Sequence, residues 1–139
     1  MQAEVFLDTE YAIAISSLKD QRHDQAMLLR ARLMAERTRL VTTWAVILEI
    51  GNALSKQRYR ASAVRLIASL LADPNVEVLS FSPELFARAF RLYAERADKE
   101  WGLTDCVSFV VMSDRRISEA LTADEHFQQA GFLPLLRQV

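Results

Sequence analysis

Four acidic residues, spread over the whole chain, occupy places where a carboxylate needs a reason. Asp8 directly follows the apolar run EVFL at 4–7, and Glu49 lies between Leu48 and Ile50 inside WAVILEIGNALSKQ. Asp105 precedes a nearly unbroken apolar run from Cys106 to Met112. Asp124 closes the segment that follows the turn Ser113-Asp114-Arg115-Arg116. An ionised Glu inside an apolar helix is costly unless it is paired or metal-bound; a buried ion pair with an arginine is the structural alternative. Asp8 and Asp124 are also good helix caps, and Asp105, with Thr104 as cap, would complement a helix dipole.

The chemistry open to such a set is that of a divalent cation. Hard oxygen ligands without a His or Cys cluster select Mg2+ or Mn2+ over zinc, and no histidine or thiol accompanies these four by position. Clustered carboxylates repel one another and raise some of their pKa values, a repulsion a bound cation removes. Such a cation activates water and orients a phosphodiester for in-line attack, so the substrate class indicated is a phosphate ester.

The elements that must bring the four together follow from apolar periodicity. Residues 4–7 read as a first strand buried on both faces, 10–18 and 22–38 as helices, and 40–43 as a second strand. Thr43 is the expected N-cap of a helix over 44–57, apolar nearly all round in its first two turns and hence expected to be buried. A helix over 60–72, a strand over 76–79 and a helix over 83–97 follow, the last opened by Ser82-Pro83 with Pro at N1. Taken as a helix, residues 105–114 rise about 15 Å. Taken as a strand, 117–121 return about 16 Å. Asp105 and Asp124 should therefore finish at one edge. A helix over 125–130, a Gly131 C-cap and a strand over 132–136 end the chain.

Short strands alternating with helices predict an α/β fold, a three-layer sandwich with a short central parallel sheet flanked by helices. In such sheets chemistry collects beyond the carboxyl ends of the strands, where all four acids converge in this reading.

Bulk properties agree with one domain over residues 1–139. The 51% hydrophobic content and 25% charge fit a globular chain, and 17 basic against 18 acidic residues give no global electrostatic case for nucleic-acid binding. The single cysteine, Cys106, excludes a disulfide framework and makes a reducing cytoplasm the simplest location. Glu4 and Asp8 interrupt any N-terminal signal, and the longest apolar runs are too short to span a bilayer.

The strand-Asp-Thr at 5–9 (VFLDT), Glu49 in its helix, LTDC at 103–106 and ALTADEHF at 120–127 together resemble the PIN-domain ribonucleases. The similarity is closest to the VapC-like toxins of toxin–antitoxin pairs, and it runs in order along essentially the whole chain. The resemblance implies a Mg2+- or Mn2+-dependent endoribonuclease with Asp8, Glu49, Asp105 and Asp124 as catalytic and metal-binding acids. It further implies support from Thr9 or Thr122, an RNA substrate, a homodimer and a small antitoxin partner. A noncatalytic dimeric PIN-like binding module with a degraded or unoccupied metal site is the alternative. Glu10 stands beside the site without a role assigned by the resemblance.

Haloacid-dehalogenase phosphatases and response-regulator receivers also place acids at a parallel-sheet rim. The first needs a second Asp where Glu10 stands, and the second needs an acidic pair and a strand-end Lys that are missing. His126 and His23 read as surface residues and Cys106 as core. Asn52, at i+3 from Glu49, shares its face. The Phe86, Phe90, Tyr93 stripe reads as core or a dimer face in preference to a base-stacking platform. Arg58, Arg60, Arg65, Arg115 and Arg116 read as solvated charges.

Overall fold

The computed structural model describes residues 2–137. Its elements are β1 (Glu4–Leu7), α1 (Thr9–Ser16), α2 (His23–Ala35), β2 (Arg39–Thr43), α3 (Trp44–Ala53), α4 (Gln57–Ala72) and β3 (Val76–Leu79). Then come α5 (Pro83–Glu95), α6 (Leu103–Arg115), β4 (Glu119–Leu121), α7 (Glu125–Gln129), β5 (Leu133–Pro134) and a 3-10 turn at Leu135–Arg137. The strands form one sheet in the order β3-β2-β1-β4-β5, and every pairing is parallel. Consecutive strand residues point to opposite faces. Val5, Phe6 and Leu7 are all fully buried, so helices cover both faces of β1 and the fold is the predicted α/β sandwich.

Local chemistry explains where α3 and α5 start. The Thr43 hydroxyl accepts from the Val46 N–H at 3.2 Å, and the Ser82 hydroxyl accepts from the Leu85 N–H at 3.0 Å with Pro83 at the start of α5. Three helices end in the same way. Arg37, Arg116 and Gly131 adopt positive φ (55, 55 and 96°), and the following amide reaches back to Leu33, Met112 and Phe127 respectively. This is the Schellman arrangement. Because an arginine occupies the left-handed position in two of them, the helix predicted over 22–38 in fact closes at Ala35.

Other expectations need correction. The final strand is only Leu133–Pro134, and the return strand after α6 is only Glu119–Leu121, because Ile117 belongs to the turn that closes α6. Helix α3 is not buried all round: Trp44 is 42% and Leu48 68% exposed, while Val46, Ile47 and Ile50 supply the core. Phe86, Phe90 and Tyr93 are 41, 52 and 46% exposed, a surface ladder of rings and not core. Arg115 is no free surface charge. Its guanidinium donates to Glu4 Oε2 at 2.7 Å and Glu77 Oε1 at 2.9 Å, tying the end of α6 to β1 and β3. No helix among the described residues is long and apolar enough to cross a membrane.

Candidate active site

Asp8 leaves the carboxyl end of β1, the central strand, and Thr42 of β2 donates its hydroxyl to the Leu7 carbonyl at 2.8 Å beside it. The Asp8 residue is only 6% exposed. Although it stands at the N-cap position of α1, its side chain makes no capping bond, which removes the plain-cap explanation. Burial pushes its carboxyl up to about 7; Glu49 and Asp105 add to the rise, while the neighbouring Thr122 side chain and the Thr9 backbone oppose it. Asp8 thus lies within electrostatic reach of two of the other sequence-predicted acids.

Glu49 is half-buried on α3, and its Oε1 accepts from the Thr9 hydroxyl at 2.5 Å. That bond replaces the arginine partner considered as the structural alternative: no ion pair to Glu49 occurs among the described residues. Asp105 sits in the first turn of α6, where its Oδ2 accepts from the Gly102 N–H at 3.0 Å. Gly102, and not Thr104, is the residue that begins this helix. Asp124 caps α7, with Oδ1 accepting from the His126 N–H at 2.9 Å, so the cap reading is realised, and the same Oδ1 lies 3.5 Å from the His126 ring.

Thr122, fully buried, links the remaining pieces. Its hydroxyl donates to Glu10 Oε1 at 3.3 Å and accepts from the Asp124 N–H at 3.0 Å. Burial raises the Glu10 carboxyl, and the nearby Asp124 raises it further. Glu10 is therefore a fifth carboxylate at the rim.

His126 is the residue that sequence reasoning missed. Its Nδ1 lies 3.1 Å from Asp105 Oδ2 and 3.5 Å from Asp124 Oδ1, with the side chain 25% exposed. Partial burial alone would lower its pKa, but the hydrogen bond to Asp105 and the charges of Asp124, Asp105 and Glu125 outweigh burial and hold it above its ordinary value. The available signal was the i+2 spacing from Asp124, which brings the side chain of a short helix's second residue back over its own cap. His23 also turns inward, with Nδ1 2.7 Å from the Ala14 carbonyl. Cys106 is buried as expected, and burial raises its thiol, with Asp105 adding.

The donor set suits a divalent cation. Asp105, Asp124 and His126 have ligand atoms all within 4.8 Å of one another, and Asp8 and Glu49 contribute charge beside them. Next to Glu49 opens a mostly apolar cavity of about 450 Å3, walled by Trp44, Leu48, Asn52, Phe81 and Thr104.

The acids stand on the carboxyl rim of a parallel sheet, and the PIN domain family model matches residues 5–133. The chain belongs to the PIN domain family. It is 27% identical over 129 residues to the 23S rRNA-specific endonuclease VapC20 of Mycobacterium tuberculosis, covering 93% of this chain and 95% of the relative. The crystal structure of that VapC20, a Sarcin-Ricin loop cleaving toxin, matches with a TM-score of 0.81 at 26% identity, over 93% of this chain and 96% of that one. VapBC2 from Rickettsia felis, solved bound to a DNA fragment from its promoter, matches with a TM-score of 0.67 over 94% of this chain and 96% of that chain. At 15% identity that second likeness concerns the fold alone.

Proposed function

We propose that this protein is a Mg2+- or Mn2+-dependent endoribonuclease of the VapC type, the toxin of a toxin–antitoxin pair. The observation that carries the reading is the buried Asp8, whose carboxyl is pushed up to about 7 beside Glu49 and Asp105. Burying a carboxylate beside two others costs stability, a cost relieved by protonation or by a bound cation, so the rim is suited to hold one. The chemistry such a cation supplies is a lowered pKa for water and compensation of charge building on a phosphodiester.

The protein's own residues do the positioning. Thr9 holds the Glu49 carboxylate, the Gly102 N–H holds Asp105, and Thr122 braces the loop of Asp124 against Glu10. The cavity beside Glu49, with Trp44 and Phe81 on its walls, offers an unstacked base an apolar seat next to the acids, as RNA recognition requires. The likeness to VapC20, an rRNA-specific endonuclease, favours RNA as the phosphodiester.

An antitoxin partner is supported by a groove of about 560 Å3 between α1, α2 and α4. Tyr11, Met27, Leu33 and Met34 line it, and Arg30 and Arg65 flank it. Such a groove fits the apolar face of an amphipathic segment with acidic flanks.

The test is incubation of purified protein with total RNA, with Mg2+, with Mn2+ and without metal, followed by mapping of the cut sites. Metal-dependent cleavage that disappears in Asp8→Asn and Asp105→Asn, both still folded, is expected. Cleavage surviving in both variants overturns the proposal. A folded wild type that cuts no RNA with either metal favours the noncatalytic module.

A further inference from the structure

We propose that His126 is a nitrogen ligand of the metal site, making it a mixed N/O centre that favours Mn2+ over Mg2+. The inference rests on the reading of the acidic rim as a divalent-metal site. It starts from geometry. Donor atoms held about 2.1 Å from one cation lie about 3.0 Å apart at octahedral angles and about 3.4 Å apart at tetrahedral ones. The His126 Nδ1 separations from Asp105 and Asp124, 3.1 and 3.5 Å, are edges of that size.

Two further features point the same way. The His126 backbone N–H donates to Asp124 Oδ1, so the ring and the carboxylate belong to one tight loop and move together. That N–H donates to the same Oδ1 that lies 3.5 Å from the ring, and the oxygen keeps a second lone pair with which to ligate. The Gly102 N–H likewise fixes the rotamer of Asp105, whose Oδ2 is the atom nearest the ring. Both carboxylates are thereby held by backbone amides, and the imidazole closes the set from α7.

The chemical consequence is selectivity. Mg2+ takes oxygen ligands and waters in near-ideal octahedra and gains little from an imidazole. Transition metals of the Irving–Williams series bind imidazole more strongly than Mg2+ does. A site of oxygens alone would discriminate less between Mg2+ and Mn2+ than one carrying His126.

His126→Asn gives the discriminating variant. Its amide can still hydrogen-bond to Asp105 but does not replace the imidazole nitrogen as a ligand. Calorimetric titration with Mn2+ and with Mg2+, and electron spin-echo spectroscopy of the Mn2+-loaded protein, are run on wild type, His126→Asn and His126→Gln. Wild type is expected to show a nitrogen coupling to Mn2+ that both variants lose. Mn2+ affinity should fall at least about tenfold while Mg2+ affinity changes less than about threefold.

Absence of nitrogen coupling in wild type overturns the proposal, as does an equal loss for both metals in the variants; either result makes His126 a positioning residue for the two carboxylates. If wild type binds neither metal, the metal reading of the whole rim fails along with it, and that outcome is distinct from the other two.

Discussion

Asp8→Asn isolates the electrostatic cost built into the site. In the metal-free protein the Asp8 carboxyl is pushed from 3.8 to about 7, chiefly by burial. Its protonated form is the one the fold tolerates. The stability associated with Asp8 is therefore fully present below pH 3.8 and is lost as pH rises through about 7. A shift of roughly three units, at about 1.4 kcal/mol each, makes the full loss about 4 kcal/mol. Asparagine keeps nearly the same volume and carries no charge, so the variant escapes that loss.

The assay is urea unfolding of wild type and Asp8→Asn in chelator from pH 4.5 to 8.5. Taking the difference between the two proteins cancels the titration of every group that does not interact with Asp8. Near pH 4.5 the variant should be no more stable than wild type, and above pH 8 it should be more stable by up to about 4 kcal/mol. With saturating Mn2+ the ordering should reverse, because only the wild type gains the full binding energy. A difference that stays flat across the pH range refutes the claim that Asp8 is held ionised at a cost.

Other outcomes are equally checkable. Thr9→Val removes the hydroxyl that holds Glu49, and turnover should fall at least about tenfold with little change in melting temperature, read by cleavage assay and calorimetry. Trp44→Ala removes a wall of the cavity beside Glu49 and should raise KM for RNA more than it lowers kcat. Arg115→Ala breaks the partly exposed pairs to Glu4 and Glu77, and it should cost about 1–2 kcal/mol of stability, less at high salt, without abolishing cleavage. Arg37→Gly and Arg116→Gly relieve left-handed backbone at two helix ends, each stabilising by up to about 1 kcal/mol in chemical denaturation.

The sequence by itself determined the alternation of strands and helices, the parallel sheet and the surroundings of its rim. Apolar runs such as VFL and CVSFVVM tolerate no other placement than the interior, and the polar residue that ends each run marks an edge. The starts of α3 and α5 were legible for the same local reason, since Thr43 and Ser82-Pro83 act on amides two or three residues away.

Helix ends were less legible, because Arg37 and Arg116 take a backbone conformation that usually announces itself as glycine. Exposure of Trp44, Leu48 and the Phe86–Phe90–Tyr93 ladder was not legible either, since apolar type alone does not say which helix face finds a partner. Only the tertiary structure decided how the acids are served. Thr9 meets Glu49 across 40 positions of chain, and His126 meets Asp105 across 21. Long-range contacts of this kind depend on how α1, α3, α6 and α7 pack around one sheet edge; the i+2 spacing from Asp124 turns His126 over its own cap, and the packing of α6 against α7 brings Asp105 to it.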